Sequence, residues 1–367
     1  MNLKDMAQGI GVTVVDPADS PREAIFDDHE RVVSKFIILV ASIRTLLEHE
    51  SKPIVHFPVS QGKDSTLCEL AGLEAYRQCI AEGTIEPERP MVLTTVDTKV
   101  EQTPMRMYVR YCKSRVEEYA QKCGINLDYQ LVMPNLTSEY FVKWGGAQKI
   151  IGNASRNGDC SVILKIDPNT KHLRSLSDEY PGYERSHFIS VVGSRHEESS
   201  RRSANIKKSK MVESAEDLFD GMETESVGGT VIHSYAGIAD WTTDDVFLAL
   251  HLAGEQPKTA YQGKRGSTVI PSFLPHHELL VEIYGNGSNE TCSISTGAKG
   301  GSGCNGKARY GCSTCTYTGF TDKSSEALTA YPRWHFLGAE KALRLRDYFA
   351  CLPIWGRGLS MLVRSIR

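Results

Sequence analysis

The stretch that most constrains this chain is Val55-His56-Phe57-Pro58-Val59-Ser60-Gln61-Gly62-Lys63-Asp64-Ser65-Thr66. An apolar run stops at a small polar turn. Leu67, Leu70, Ala71, Leu73 and Ala75 then follow at helical spacing. Strand, turn and helix in that order belong to a layered α/β fold. The turn offers Gly62 for close backbone approach, hydroxyls at Ser60, Ser65 and Thr66, and a positive charge at Lys63. The helix that starts here points its N-terminus at the turn, where free N–H groups and the dipole favour an anion. This is not the Walker pattern G-x-x-x-x-G-K-[ST]. It is the shorter Ser-x-Gly-x-Asp-Ser.

The rest of the first two thirds repeats the alternation. Val32, Phe36, Ile37, Val40, Ile43, Leu46 and Leu47 mark an amphipathic helix over about 28–50 that packs on the first strand. The turn is followed by a helix over 65–82, a second strand over 91–96, a helix over 105–123 and a third strand over 127–133. Phe188–Val192 reads as a fourth strand and 231–238 as a fifth, with a helix opening near Thr242 or Thr243. Strands and helices alternating at this spacing predict βαβ units and a parallel five-stranded sheet. Residues 203–229, rich in Ser, Glu and Gly, read as a mobile lid or disordered insert. The expected organisation is an N-terminal arm and helix over 1–50, a nucleotide-binding α/β domain over 51–255, and a cysteine-rich and helical region over 256–367.

The hexapeptide Ser60-Gln61-Gly62-Lys63-Asp64-Ser65 resembles the PP-loop of ATP pyrophosphatases, which cleave ATP between the α and β phosphates. Later segments resemble one branch of that family, the group similar to phosphoadenylyl-sulfate reductases. They are Asp97-Thr98-Lys99-Val100-Glu101, Gly193-Ser194-Arg195-His196-Glu197-Glu198-Ser199 with Arg201, and Asp240-Trp241-Thr242-Thr243-Asp244-Asp245-Val246. The resemblance covers roughly 50–320 and implies the adenine-nucleotide α-hydrolase (HUP-like) form of the α/β fold. It implies that ATP contacts Ser60, Gln61, Gly62, Lys63, Asp64, Ser65, Thr66, Asp97, Thr98, Glu101, Gly193, Arg195 and Arg201. Lys63, Asp64 and Arg195 are the expected catalytic residues. A carboxylate at Asp97 or Glu101 can bind ribose hydroxyls or magnesium, and Asp64 can hold magnesium or anchor the loop. Arg195 is expected at a strand end, its planar fork on phosphate. Gln61 stands where the family has glycine, so a positive φ there would strain it.

Ten cysteines in a chain expected to be cytoplasmic are unlike a disulfide framework. That compartment is expected because Met1-Asn2-Leu3-Lys4-Asp5 begins no apolar signal region, and no run of about 18 uncharged apolar residues follows. Cys312-Ser313-Thr314-Cys315 puts two thiolates on one turn, and Cys304 precedes it in a glycine-rich stretch. A fourth ligand can come from Cys160 or Cys292, and an all-thiolate set suits a [4Fe–4S] cluster or zinc. Tyr310-Gly311-Cys312-Ser313-Thr314-Cys315-Thr316 closely resembles the sulfur-transfer subunit of bacterial DNA phosphorothioation systems. That resemblance favours the cluster, and the resemblance to the reductases, where a distant lone cysteine joins a Cys-x-x-Cys, implies Cys160 as fourth ligand beside Cys304, Cys312 and Cys315. Cys68, Cys79, Cys112, Cys123 and Cys351 fall in helix patterns and read as core.

A net charge of −3 gives no overall field for nucleic acid, so a polyanion must meet a local basic patch. The basic residues between Arg333 and Arg367 are the expected place for DNA backbone contact. The resulting expectation is an ATP pyrophosphatase that adenylates a DNA backbone phosphate for sulfur insertion. It would use ATP and magnesium, work with a cysteine desulfurase and other phosphorothioation proteins, need no membrane, and be free to form a homo-oligomer. The alternatives are an adenylyl-sulfate or phosphoadenylyl-sulfate reductase, and a non-catalytic nucleic-acid-binding module on the same fold.

Overall fold

The structure is a computed structural model, and it describes residues 23–146, 148–149, 159–180, 188–198, 213–224, 233–255, 270–284, 312–313 and 332–335. The elements are α1 Glu23–Glu48, β1 Ile54–Pro58, α2 Lys63–Glu82, β2 Met91–Val96, α3 Thr103–Cys123, β3 Leu127–Val132, α4 Asp167–Glu179, β4 Phe188–Val191, α5 Ala215–Thr224, β5 His233–Tyr235, α6 Thr243–His251 and α7 Glu278–Tyr284. The strands form one five-stranded sheet of order β3-β2-β1-β4-β5, and all of them run parallel. The α/β class and the parallel sheet agree with the sequence pattern.

Burial explains why β1 reads as a near-continuous apolar run. It is the central strand, covered on both faces, as parallel strands are. Its one polar residue, His56, is fully buried and placed to bond both neighbours. Nδ1 lies 2.8 Å from Ser190 Oγ on β4, and Nε2 lies 3.0 Å from Thr94 Oγ1 on β2. Satisfied in this way, a polar side chain can sit in the core without the cost of an unpaired group.

The helix boundaries have local causes. Gly83, at φ +70, closes α2 in the left-handed region that spares glycine. Thr242 caps α6 in a reciprocal capping box with Asp245. Asp245 also binds Arg31 and accepts from Lys35 Nζ at 2.7 Å, which ties α6 to α1.

Two expectations are corrected. The fifth strand ends at Tyr235, not Ile238, because Ala239 N bonds Ala236 O at 3.0 Å and turns the chain. Within the expected insert, 215–224 is helix α5, with Ala215 and Leu218 buried and Phe219 stacked on His49 at 3.5 Å. The polar stretch 167–179, of which the sequence reading says nothing, is helix α4. The other parts of 203–229 and most of the basic C-terminal stretch lie outside the described residues.

The chain divides into two compact units that interleave in sequence. One is drawn from 1–95, 109–130 and 174–282, the other from 96–108, 131–173 and 283–367. No described helix is long and apolar enough to cross a membrane.

Candidate functional site

The strand order contains a switch point. From β1 the chain moves to β2 and β3 on one side of the sheet. It then returns to β4 on the other side of β1. Loops leaving the carboxyl ends of β1 and β4 therefore diverge at the place where open α/β sheets bind ligands. The turn 59–62 follows β1, and 192–195 follows β4.

The two loops touch. A Cβ built on Gly193 would lie 3.0 Å from the Asp64 carbonyl carbon and 3.1 Å from Ser65 N. The need at Gly193 is therefore close approach of two backbones. Ser65 Oγ accepts from Ser60 N at 3.2 Å and donates to Gly62 O at 3.1 Å, which folds the turn over the first residues of α2. Thr66 is buried, and its N bonds Gly62 O at 2.9 Å. Gly62 is the extended N-cap residue at φ −84, a backbone any residue can adopt.

Lys63 and Arg195 converge on Asp64. Lys63 Nζ lies 2.5 Å from Asp64 Oδ2, and Arg195 Nε lies 2.7 Å from Asp64 Oδ1. Both carboxylate oxygens hold a cation, so the loop-anchoring alternative for Asp64 is the one the geometry favours. Arg195 is fully buried. Its Nη1 donates to Glu197 Oε2 at 3.0 Å and to the Trp241 carbonyl at 3.1 Å, and its Nη2 donates to Thr243 Oγ1 at 3.1 Å. The fork expected on phosphate is thus bonded to protein, and Arg195 braces the loop from beneath.

Gln61 has φ +54 and is fully buried. Its Nε2 donates to the Glu69 carboxyl at 3.0 and 3.2 Å and to Tyr129 OH at 3.0 Å. The side chain is therefore folded into the core under the turn. Burial pushes Glu69 up to about 8, against the opposing hydrogen bond from Gln61. Burial, and secondarily the charge of Glu69, pushes the Tyr129 phenol up.

The second unit holds the other expected residues. Asp97 Oδ1 accepts from Lys99 N at 2.8 Å, and Arg106 stands 3.8 Å from Oδ2. Thr98 is buried. Glu101 lies 3.5 Å from Lys165 Nζ. Burial raises the Glu101 carboxyl most, the Asp97 charge raises it further, and Lys165 opposes both. Cys160 and Cys312 pack against one buried apolar cluster formed by Val100, Tyr140, Trp144 and Leu164. Cys312 bridges Glu101, and Ser313 N donates to Val100 O at 2.7 Å. These contacts bring two residues far apart in sequence to one patch. Arg201, Cys292, Cys304 and Cys315 lie outside the described residues.

Sequence reasoning missed Glu69, Tyr129 and Thr95, and gave Glu197 and Thr243 no part in holding Arg195. A charged residue in the apolar repeat after the turn was the one available signal for Glu69. Glu213 also went unread, and His196 and Asp240 appeared only within the resembling segments. Their ligand atoms lie within 4.8 Å of one another, although exposed acids commonly gather without an ion. Together, the sheet and its loops define a parallel α/β protein with a polar turn and a helix N-terminus at the switch point. No protein-family model, curated protein or solved structure matches the chain.

Proposed function

We propose that the chain is an ATP pyrophosphatase of the PP-loop kind, activating a DNA backbone phosphate for sulfur insertion. The observation that carries the reading is the junction of two loops at the switch point. There the N-terminus of α2, Lys63 and the Arg195-braced Asp64 meet beneath an exposed Ser60. The resemblance of the turn supplies the reaction class. Main-chain amides of 60–66 and Lys63 stabilise negative charge that grows on the departing pyrophosphate. A non-bridging DNA phosphate oxygen attacks the α-phosphorus, and pyrophosphate leaves. The terminal sulfur of a persulfide delivered from a cysteine desulfurase then attacks the DNA phosphorus and AMP leaves, and two electrons from a dithiol reductant break the remaining S–S bond to free the phosphorothioate. Arg195 acts through Asp64 rather than on the phosphate. Magnesium, when bound, would neutralise phosphate charge, and Asp64, whose oxygens are both bonded to cations, is a poor ligand for it.

The thiols fit a soft-metal group. Cys160 and Cys312 share one apolar patch, and Cys304 and Cys315 would complete a four-thiolate set. Such a cluster, when bound, supplies one-electron chemistry. The visible spectrum and the iron and zinc content of anaerobically purified protein test it. Iron near four per chain, lost in Cys312→Ser, is the expected result.

The nucleotide reaction is tested by product analysis with ATP, DNA and a desulfurase. AMP and pyrophosphate are expected, with most turnover lost in Lys63→Ala. Release of ADP and phosphate instead would remove the proposal.

A further inference from the structure

A side-chain residue in the left-handed region persists only where its surroundings hold it. The donors around Gln61 can be counted. Thr95 Oγ1 donates to Val59 O at 2.6 Å, so its oxygen accepts from Tyr129 OH at 2.9 Å. The Tyr129 hydrogen is thereby committed, and its oxygen accepts one hydrogen of Gln61 Nε2. The second Nε2 hydrogen goes to Glu69.

Two groups are then left wanting. Gln61 Oε1 is buried with no hydrogen-bond partner among the described residues. Glu69 is fully buried and receives hydrogen bonds from Gln61 Nε2 alone among the described residues. An ionised carboxylate in that position is costly. One proton on Glu69 answers both. It removes the charge, and its O–H can meet Oε1 after a small turn of the amide, giving a paired acid–amide contact.

We propose that Glu69 is a positioning residue, carried as the neutral acid, that clamps Gln61 in its left-handed backbone and so holds the 60–66 turn in its anion-accepting shape. Ionising Glu69 releases the clamp. Several ionisable groups surround it. Tyr129 faces it from β3. Cys112 on α3 acts on Tyr129, and Lys113 Nζ stands 4.5 Å over the Tyr129 ring. The flanking acids on α2 are already bonded, Asp64 to Lys63 and Arg195, Glu74 to Arg77 and Gln78. The raised affinity of buried Glu69 for its proton places the release in mildly alkaline solution.

The inference rests on the proposed function only in taking the turn to be a phosphate site. The test compares pyrophosphate binding by calorimetry for wild type and Glu69→Gln, from about pH 6 to about pH 10. Pyrophosphate titrates too, so the difference between the proteins is the readout. Gln can donate to Gln61 Oε1 at every pH. Wild-type affinity should therefore fall about tenfold relative to Glu69→Gln as pH rises, the factor that the strain of one left-handed residue represents. Parallel profiles overturn the inference.

Amide hydrogen exchange over 60–66 without ligand is the second readout. Protection lost with rising pH in wild type and kept in Glu69→Gln supports the clamp, and equal loss overturns it. If neither protein binds pyrophosphate, the phosphate-site reading fails and exchange alone decides the role of Glu69.

Discussion

The buried Asp64–Arg195 pair gives the most demanding prediction. Arg195→Met removes a guanidinium that donates to Asp64, Glu197, the Trp241 carbonyl and Thr243. Arg195 is fully buried and the Asp64 side chain is 13% exposed, so solvent replaces little of what is lost. Deleting one partner of such a pair costs about 3–5 kcal/mol, much of it for the charge left behind. Adding Asp64→Asn removes that charge. The double variant should then be less destabilised than the sum of the singles by about 2 kcal/mol, the scale of one charge-assisted hydrogen bond. Urea unfolding of the four proteins measures the cycle. Arg195→Lys keeps the charge and loses the fork, so it should behave more like Met than like wild type. Additivity within about 0.5 kcal/mol, or a cost below about 1 kcal/mol for Arg195→Met, would refute the bracing role.

Two further outcomes follow from the geometry. Gly193→Ala puts a Cβ 3.0 Å from the Asp64 backbone. It should cost about 1–3 kcal/mol in urea unfolding and weaken pyrophosphate binding in calorimetry, since the clash falls on the turn itself. For Asp245, burial favours the neutral form, but hydrogen bonds from Lys35 and Arg31 outweigh it and hold the carboxyl at about 2. Its folded value lies below the unfolded one, so its stability is present above about pH 4 and is lost as pH falls toward 2. Asp245→Asn should flatten that part of the acid-unfolding profile, and an unchanged profile would refute the assignment.

The order of strands and helices was legible because periods of 2 and 3.6 residues are local. The run Met91–Val96 is the observed second strand without change, and Thr242 is the cap that one of two threonines had to be. The turn at 60–66 was legible as a strand-to-helix junction because it needs only a strand end and a helix start. Residues 167–179 and 215–224 were not legible as helices, since polar composition masked them and packing stabilises their few apolar residues.

What the sequence determined, then, was the alternation of elements and the place of the turn. Tertiary structure decided what the charged residues do. Asp64 and Arg195 are 131 positions apart, and Gln61 and Tyr129 are 68 apart. No local pattern encodes such pairings. They arise because a parallel sheet brings distant loops to one edge, and burial there obliges each charge and amide to find a partner. That obligation turned Arg195 from an expected phosphate fork into a brace, and turned Gln61 inward beneath the loop.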